Sequence, residues 1–131
     1  MVRTLCKVRG LDAFGSGEYR ASRGSRVHNG IDYVAHVDST ILSPVNGRVT
    51  KLGYPYGDDL SFRYVQITDY DDNDWRIFYV FPEVIMGQDI LVDDLIGSVQ
   101  DLGKRYKGIT SHIHLEIKNK LGNFIDPRSV G

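Results

Sequence analysis

Cysteine is almost absent from this chain: Cys6 is the only one among 131 residues. A lone cysteine closes no internal disulfide, so a disulfide scaffold and a paired-cysteine metal knuckle are both excluded. No apolar run approaches the roughly 20 residues that a membrane-spanning helix requires. The first ten residues carry Arg3, Lys7 and Arg9 with no apolar stretch behind them, so no secretory signal peptide is expected. Neither sign of charge dominates, with 16 Lys and Arg against 17 Asp and Glu. No basic stripe interleaves with aromatics, which argues against nucleic acid as a partner. A helical stripe is missing as well, since no window keeps its apolar residues at the three-and-four spacing.

What is there is β pattern. Thr40 to Ser43, Arg48 to Leu52, Phe62 to Thr68, Trp75 to Phe81, Ile96 to Val99 and His112 to Lys118 are short runs rich in β-branched and aromatic residues. Gly, Pro, Asn and Asp separate them. The expected fold is all-β, an antiparallel sandwich or small barrel of short strands with long loops around a groove. The length fits one domain, 1–131, with residues 1–13 as an N-terminal extension. Leu11 to Val27 reads as a loop. The acidic run Asp69-Tyr70-Asp71-Asp72-Asn73-Asp74 lacks the glycine and the final glutamate of a calcium loop and reads as a hairpin turn.

Two clusters carry the chemistry: His28-Asn29-Gly30-Ile31-Asp32 and His112-Ile113-His114. Side chains on a strand alternate between faces, so His112, His114 and Glu116 share one side while Ile113, Leu115 and Ile117 share the other. The apolar side can face a core and the polar side a groove. Gly30, between His28 and Asp32, adds no side chain that would crowd an ion. Imidazoles with a carboxylate are ligands for zinc, and three protein ligands leave a position open for water, the catalytic arrangement. Arg20, Arg23 and Arg26, with Lys104, Arg105 and Lys107, are the basic groups able to line a groove; a charged solvent face is the simpler account of them.

These residues resemble the lysostaphin/LytM-type zinc metallopeptidases (the duplicated hybrid motif fold), which cut peptides of bacterial peptidoglycan. The likeness runs from the Phe14-Gly15 step to Asp126-Pro127. It takes in His28-Asn29-Gly30-Ile31-Asp32 and the strand-turn-strand segment Ser39-Thr40-Ile41-Leu42-Ser43-Pro44-Val45-Asn46-Gly47-Arg48-Val49. Ile96-Gly97 and Ser111-His112-Ile113-His114-Leu115-Glu116 follow in the family's order. The resemblance implies His28, Asp32 and His114 as zinc ligands and His112 as the catalytic histidine beside the metal. Arg23, Tyr79 and Tyr106 are expected to contact substrate, a stem or cross-bridge peptide of peptidoglycan.

One departure bears on activity. Active members of that family carry a second non-ligand histidine in a Tyr-x-His-Leu segment, and the stretch here is Tyr79-Val80-Phe81-Pro82. Phe81 is expected at the place of that histidine, and a phenyl ring neither moves a proton nor donates to an oxyanion. His36, Tyr79 and Tyr106 are the groups able to substitute. Gly17 to Asp32 and Tyr106 to Glu116 are also similar to leukocyte cell-derived chemotaxin, a vertebrate zinc-binding signalling protein that lacks the same histidine. The reading is a zinc endopeptidase for cell-wall peptides, weakened or silenced. The alternative is an inactive zinc-binding module for assembly or wall recognition, such as a phage virion or tail component among phage structural proteins. The expected location is a phage virion or the bacterial cell envelope. A phosphotransfer carrier fits less well, because such a carrier needs no carboxylate ligand.

Overall fold

The computed structural model describes residues 17–19, 22–23 and 26–129, with Cys6, the Phe14-Gly15 step and Arg20 outside it. Among the described residues the chain forms short strands and two 3-10 turns, Leu102–Lys104 and Pro127–Ser129, with no α-helix. In chain order the strands are β1 (Ser22–Arg23), β2 (Arg26–Val27), β3 (Gly30–Val34), β4 (Thr40–Leu42), β5 (Gly47–Gly53) and β6 (Tyr64–Asp69). Then come β7 (Asp74–Phe78), β8 (Val80–Pro82), β9 (Asp89–Ile90), β10 (Leu95–Val99), β11 (His112–Lys118) and β12 (Phe124–Ile125). The stretch expected as a loop before His28 contains the small β1–β2 hairpin.

The larger sheet runs β12-β11-β7-β6-β5-β9, with β3 on the same edge of β11 as β12. A smaller sheet runs β4-β10-β8, and its pairs are antiparallel like those of the large sheet. The core lies where the inner faces of both meet: Ile31, Ile113, Leu115, Ile117, Ile77, Trp75, Val65 and Ile67 from the large sheet, with Ile41, Val80, Ile96 and Val99 from the small one. Ile113, Leu115 and Ile117 are fully buried. A one-residue slip of β11 would turn all three outward, at roughly 1.5–3 kcal/mol each, and would push the histidines into the core. The apolar alternation therefore fixes the register that aims His112, His114 and Glu116 the other way.

The apolar run Trp75 to Phe81 is not one strand. Tyr79 takes the left-handed backbone conformation, with φ of 71°, and splits the run into β7 and β8, which belong to different sheets. Two hydrogen bonds pin this break: the Tyr79 N–H donates to the Arg63 carbonyl at 2.8 Å, and the Gln100 N–H donates to the Tyr79 carbonyl at 2.9 Å. The Asp69 turn is closed from within, as its carboxylate accepts from Asp71 N–H, Asn73 N–H and the Trp75 indole. These donors hold the carboxyl below its usual range even though partial burial works against them. The acidic run is thus the hairpin turn that its composition suggests.

Candidate metal centre

β11 sets the centre. His114 stands opposite Asp32 of β3 on one side and Phe78 of β7 on the other. Cross-strand partners share a face, so Asp32 and His114 meet over the groove. His28 does not ride on the same strand as Asp32; it precedes β3 by two residues and reaches the pair from the chain entering it. His114 Nδ1 lies 2.8 Å from Asp32 Oδ1 and 2.9 Å from His28 Nε2, and His28 Nε2 lies 3.1 Å from Asp32 Oδ1. Among the described residues these three are the group able to hold a metal ion. A Cβ on Gly30 would collide with the Leu115 carbonyl and come within 2.9 Å of the His114 ring. Glycine is needed there for the two strands to close around the site.

The remaining ring nitrogens decide what these three atoms can do. His28 Nδ1 donates to the Glu18 carbonyl at 2.9 Å, and His114 Nε2 donates to Glu116 Oε1 at 3.0 Å. With those protons placed, His28 Nε2 and His114 Nδ1 present lone pairs to a carboxylate oxygen about 3 Å away. Three acceptors at that separation repel one another unless a proton or a cation sits among them. Tetrahedral bonds of about 2.0–2.2 Å ask for donor edges of about 3.3–3.6 Å, so opening each edge by roughly half an ångström admits an ion. The residues therefore fit a mononuclear His2Asp metal site. The Glu116 carboxylate is held in turn by Arg76 Nη1 at 3.4 Å, and Arg76 Nε donates to Gln66 at 2.8 Å. A ligand histidine oriented by a carboxylate is a recurring arrangement in such sites.

In the metal-free protein a proton takes the cation's part. Burial works against a charged His114, but its hydrogen bonds and charge attraction to Asp32 and Glu116 outweigh that and push it up to about 9. Burial likewise disfavours the Asp32 carboxylate, yet the hydrogen bond from protonated His114 and its close contact with His28 hold it well below the usual carboxylate range.

His112 lies beside this group and outside it. Its Nδ1 donates to the Thr110 carbonyl at 2.6 Å, and its Nε2 is 3.5 Å from Asp32 Oδ2. That tautomer leaves Nε2 as an acceptor at the edge of the metal group. Tyr79 packs edge-on against the His112 ring with centroids 5.7 Å apart, and Phe78 packs edge-on against His114 at 5.1 Å. Tyr56 stacks on Tyr79, its hydroxyl donates to the Tyr79 hydroxyl at 3.3 Å, and Arg105 lies 3.8 Å above the Tyr56 ring. Tyr106 joins this wall edge-on to Tyr56 at 6.1 Å. The sequence reading missed Tyr56 and Phe78. The signal for Tyr56 was present in Gly53-Tyr54-Pro55-Tyr56-Gly57, two aromatics in a turn-rich loop that forms no part of an apolar alternation.

One expectation is corrected. Phe81 does not stand beside the reacting centre; it projects from β8, 57% exposed, and lines a groove with Val37, Phe62, Ser98 and Lys104. The left-handed turn at Tyr79 carries the chain after it into the small sheet. Of the groups able to substitute for the histidine, His36 lies beyond β3, which ends at Val34, and is exposed, as a loop-edge residue would be. Arg23 has its backbone in β1, and its side chain lies outside the described residues.

The family model for peptidase family M23 matches residues 26–127. Leukocyte cell-derived chemotaxin-2 from Mus musculus is 30% identical over 118 residues, covering 84% of this chain and 72% of that protein. LytU superposes with a TM-score of 0.70 at 21% identity, over 95% of this chain and 84% of that one. The catalytic domain of the prophage-encoded M23 protein EnpA from Enterococcus faecalis, as a variant, superposes with a TM-score of 0.69 at 19% identity, over 98% of both chains. Against the solution structure of lysostaphin, with a TM-score of 0.63 at 15% identity, the chain covers 88% of itself and spans about half, 48%, of that protein.

Proposed function

This chain belongs to peptidase family M23, and from that premise we propose that it is a zinc-dependent endopeptidase directed at the stem or cross-bridge peptides of bacterial peptidoglycan. The observation that carries the reading is the acceptor cluster: His28 Nε2, Asp32 Oδ1 and His114 Nδ1 converge within 2.8–3.1 Å while each histidine's other nitrogen is committed elsewhere. When bound there, zinc supplies Lewis acidity and brings the acidity of a water near neutral pH. The chain's own groups do the rest. His112, its Nδ1–H hydrogen-bonded to the Thr110 carbonyl, presents Nε2 to take a proton from attacking water and return it to the leaving amine. Tyr79 and Tyr106, with Tyr56 between them, form the wall against which a peptide lies, and Arg23 stands in the chain entering the site.

A second reading is a zinc-binding module without turnover, serving assembly or wall recognition, for example in a phage virion or tail. The identity to chemotaxin-2 and the absence of histidine from Tyr79-Val80-Phe81 favour it. A turbidity assay on purified cell wall, with zinc quantified in the same sample, separates the two. About one zinc per chain with clearing of the wall supports the endopeptidase; zinc without clearing supports the module.

A further inference from the structure

This inference rests on the endopeptidase reading and supplies the group that the sequence leaves out. His112 is one polar side chain flanking the metal group, and Phe81 has been carried into the small sheet. The break that carries it away also turns Tyr79 inward. Tyr79 has a φ of 71°, a region that side chains of its size rarely enter. The fold holds it there with two backbone hydrogen bonds and a box of rings: Tyr56 stacked at 6.2 Å, with Phe62, Phe78 and His112 edge-on at 6.4, 6.1 and 5.7 Å. A strained residue that its surroundings hold in place at a site is the pattern of a functional constraint.

The hydroxyl's bonding completes the case. Tyr56 donates to Tyr79, so the single Tyr79 proton is not used in that bond. Arg105 over the Tyr56 ring, and Tyr106 edge-on against it at 6.1 Å, keep that donor aimed. Burial, and then the Asp32 carboxylate, push the Tyr79 phenol up to about 12 despite the bond from Tyr56, so it keeps its proton at neutral pH.

We propose that the Tyr79 hydroxyl is the second donor of this site: it hydrogen-bonds the carbonyl oxygen of the scissile peptide as that oxygen becomes anionic, with Tyr56 as its positioning residue. The water oxygen adds to the carbonyl carbon, and the water proton passes to His112 Nε2. The C=O π electrons move to the oxygen that accepts from Tyr79, whose O–H bond stays intact. The C–N bond then breaks and His112 returns the proton to the amine, leaving a carboxylic acid and an amine.

Tyr79→Phe removes the hydroxyl and keeps the ring. The proposal expects unchanged zinc content, a KM within about threefold of wild type, and a kcat lower by about 100-fold, as for loss of one oxyanion donor. A phosphinic-peptide analogue, whose tetrahedral anion imitates the attacked carbonyl, should lose a comparable ~100-fold in affinity, while the corresponding uncleaved amide peptide binds as before. Tyr56→Phe should give a smaller loss of the same kind. Wild-type kcat and analogue affinity in Tyr79→Phe overturn the proposal, and so does an equal loss for analogue and amide, which marks a packing role. A wild-type protein that holds zinc yet neither cleaves wall peptides nor binds the analogue overturns the endopeptidase reading itself, and this inference with it.

Discussion

Zinc binding at this site should depend on pH in a way the structure specifies. Without metal, His114 is held at about 9 by Asp32 and Glu116 against the opposing effect of burial, whereas an unfolded histidine titrates at 6.5. The proton on Nδ1 occupies the place the ion needs, so binding must expel it. At pH 7 the group lies about two units below its pKa, and the apparent affinity is reduced by roughly 100-fold, or about 2.7 kcal/mol. Affinity should therefore rise about tenfold per pH unit from pH 7 and level off near pH 9. Stability of the metal-free protein runs the other way. A raised histidine pKa stabilises the fold fully below about 6.5, and that contribution is lost as pH rises through about 9. The depressed Asp32 carboxyl contributes stability above about 3.9 that is lost as pH falls below it. Competition titrations against a chelator of known pH dependence, with melting curves of metal-free and zinc-loaded protein, read both effects. Glu116→Gln removes one of the charges that raise His114, so its plateau should begin at lower pH. An affinity that is flat between pH 7 and 9 would refute the proton placement and the network behind it.

Other substitutions separate the roles of individual residues. His112→Ala should leave zinc affinity within roughly tenfold of wild type, while His114→Ala, which removes a ligand, should cost far more; equal losses in a chelator competition would show the ligand set to be wrong. Gly30→Ala should lower the melting temperature, at roughly 1–3 kcal/mol of overpacking, and weaken zinc binding together with it, because its Cβ meets both the Leu115 carbonyl and the His114 ring. Phe81→His should leave wall-peptide cleavage as it is, since Phe81 is exposed on β8 and lines the groove with Val37, Phe62 and Lys104; a gain of tenfold or more in kcat would restore the placement read from the sequence.

The β11 strand and its two faces were legible, because three fully buried apolar residues alternate with His112, His114 and Glu116. The metal triad was legible for a different reason: residue type and local motif survive even when the geometry is misjudged. The even spacing of His28 and Asp32 suits one strand face, yet His28 precedes β3 and is steered by the Glu18 carbonyl, a partner with no sequence signature. In β3 itself Gly30, Ile31, Asp32 and Tyr33 are all buried, so no alternation marks the strand. The two-residue strands β9 and β12 are too short to show a period. The largest miss is the chain break at Tyr79. Phe78-Tyr79-Val80-Phe81 reads as one continuous apolar strand, and nothing in the residue types announces a tyrosine in the left-handed region. The break is imposed by tertiary contacts with Arg63 and Gln100, and it decides which aromatic faces His112.

The central claim is peptide-bond hydrolysis at a zinc held by His28, Asp32 and His114. Its most direct measurement is mass spectrometry of purified peptidoglycan peptides after incubation with zinc-loaded protein, alongside chelated protein and Asp32→Ala. The account predicts fragments carrying one added water and a new amino terminus, formed by the zinc-loaded wild type and lost in both controls. Intact peptides after incubation with fully zinc-loaded wild type, or equal cleavage in all three samples, would contradict it.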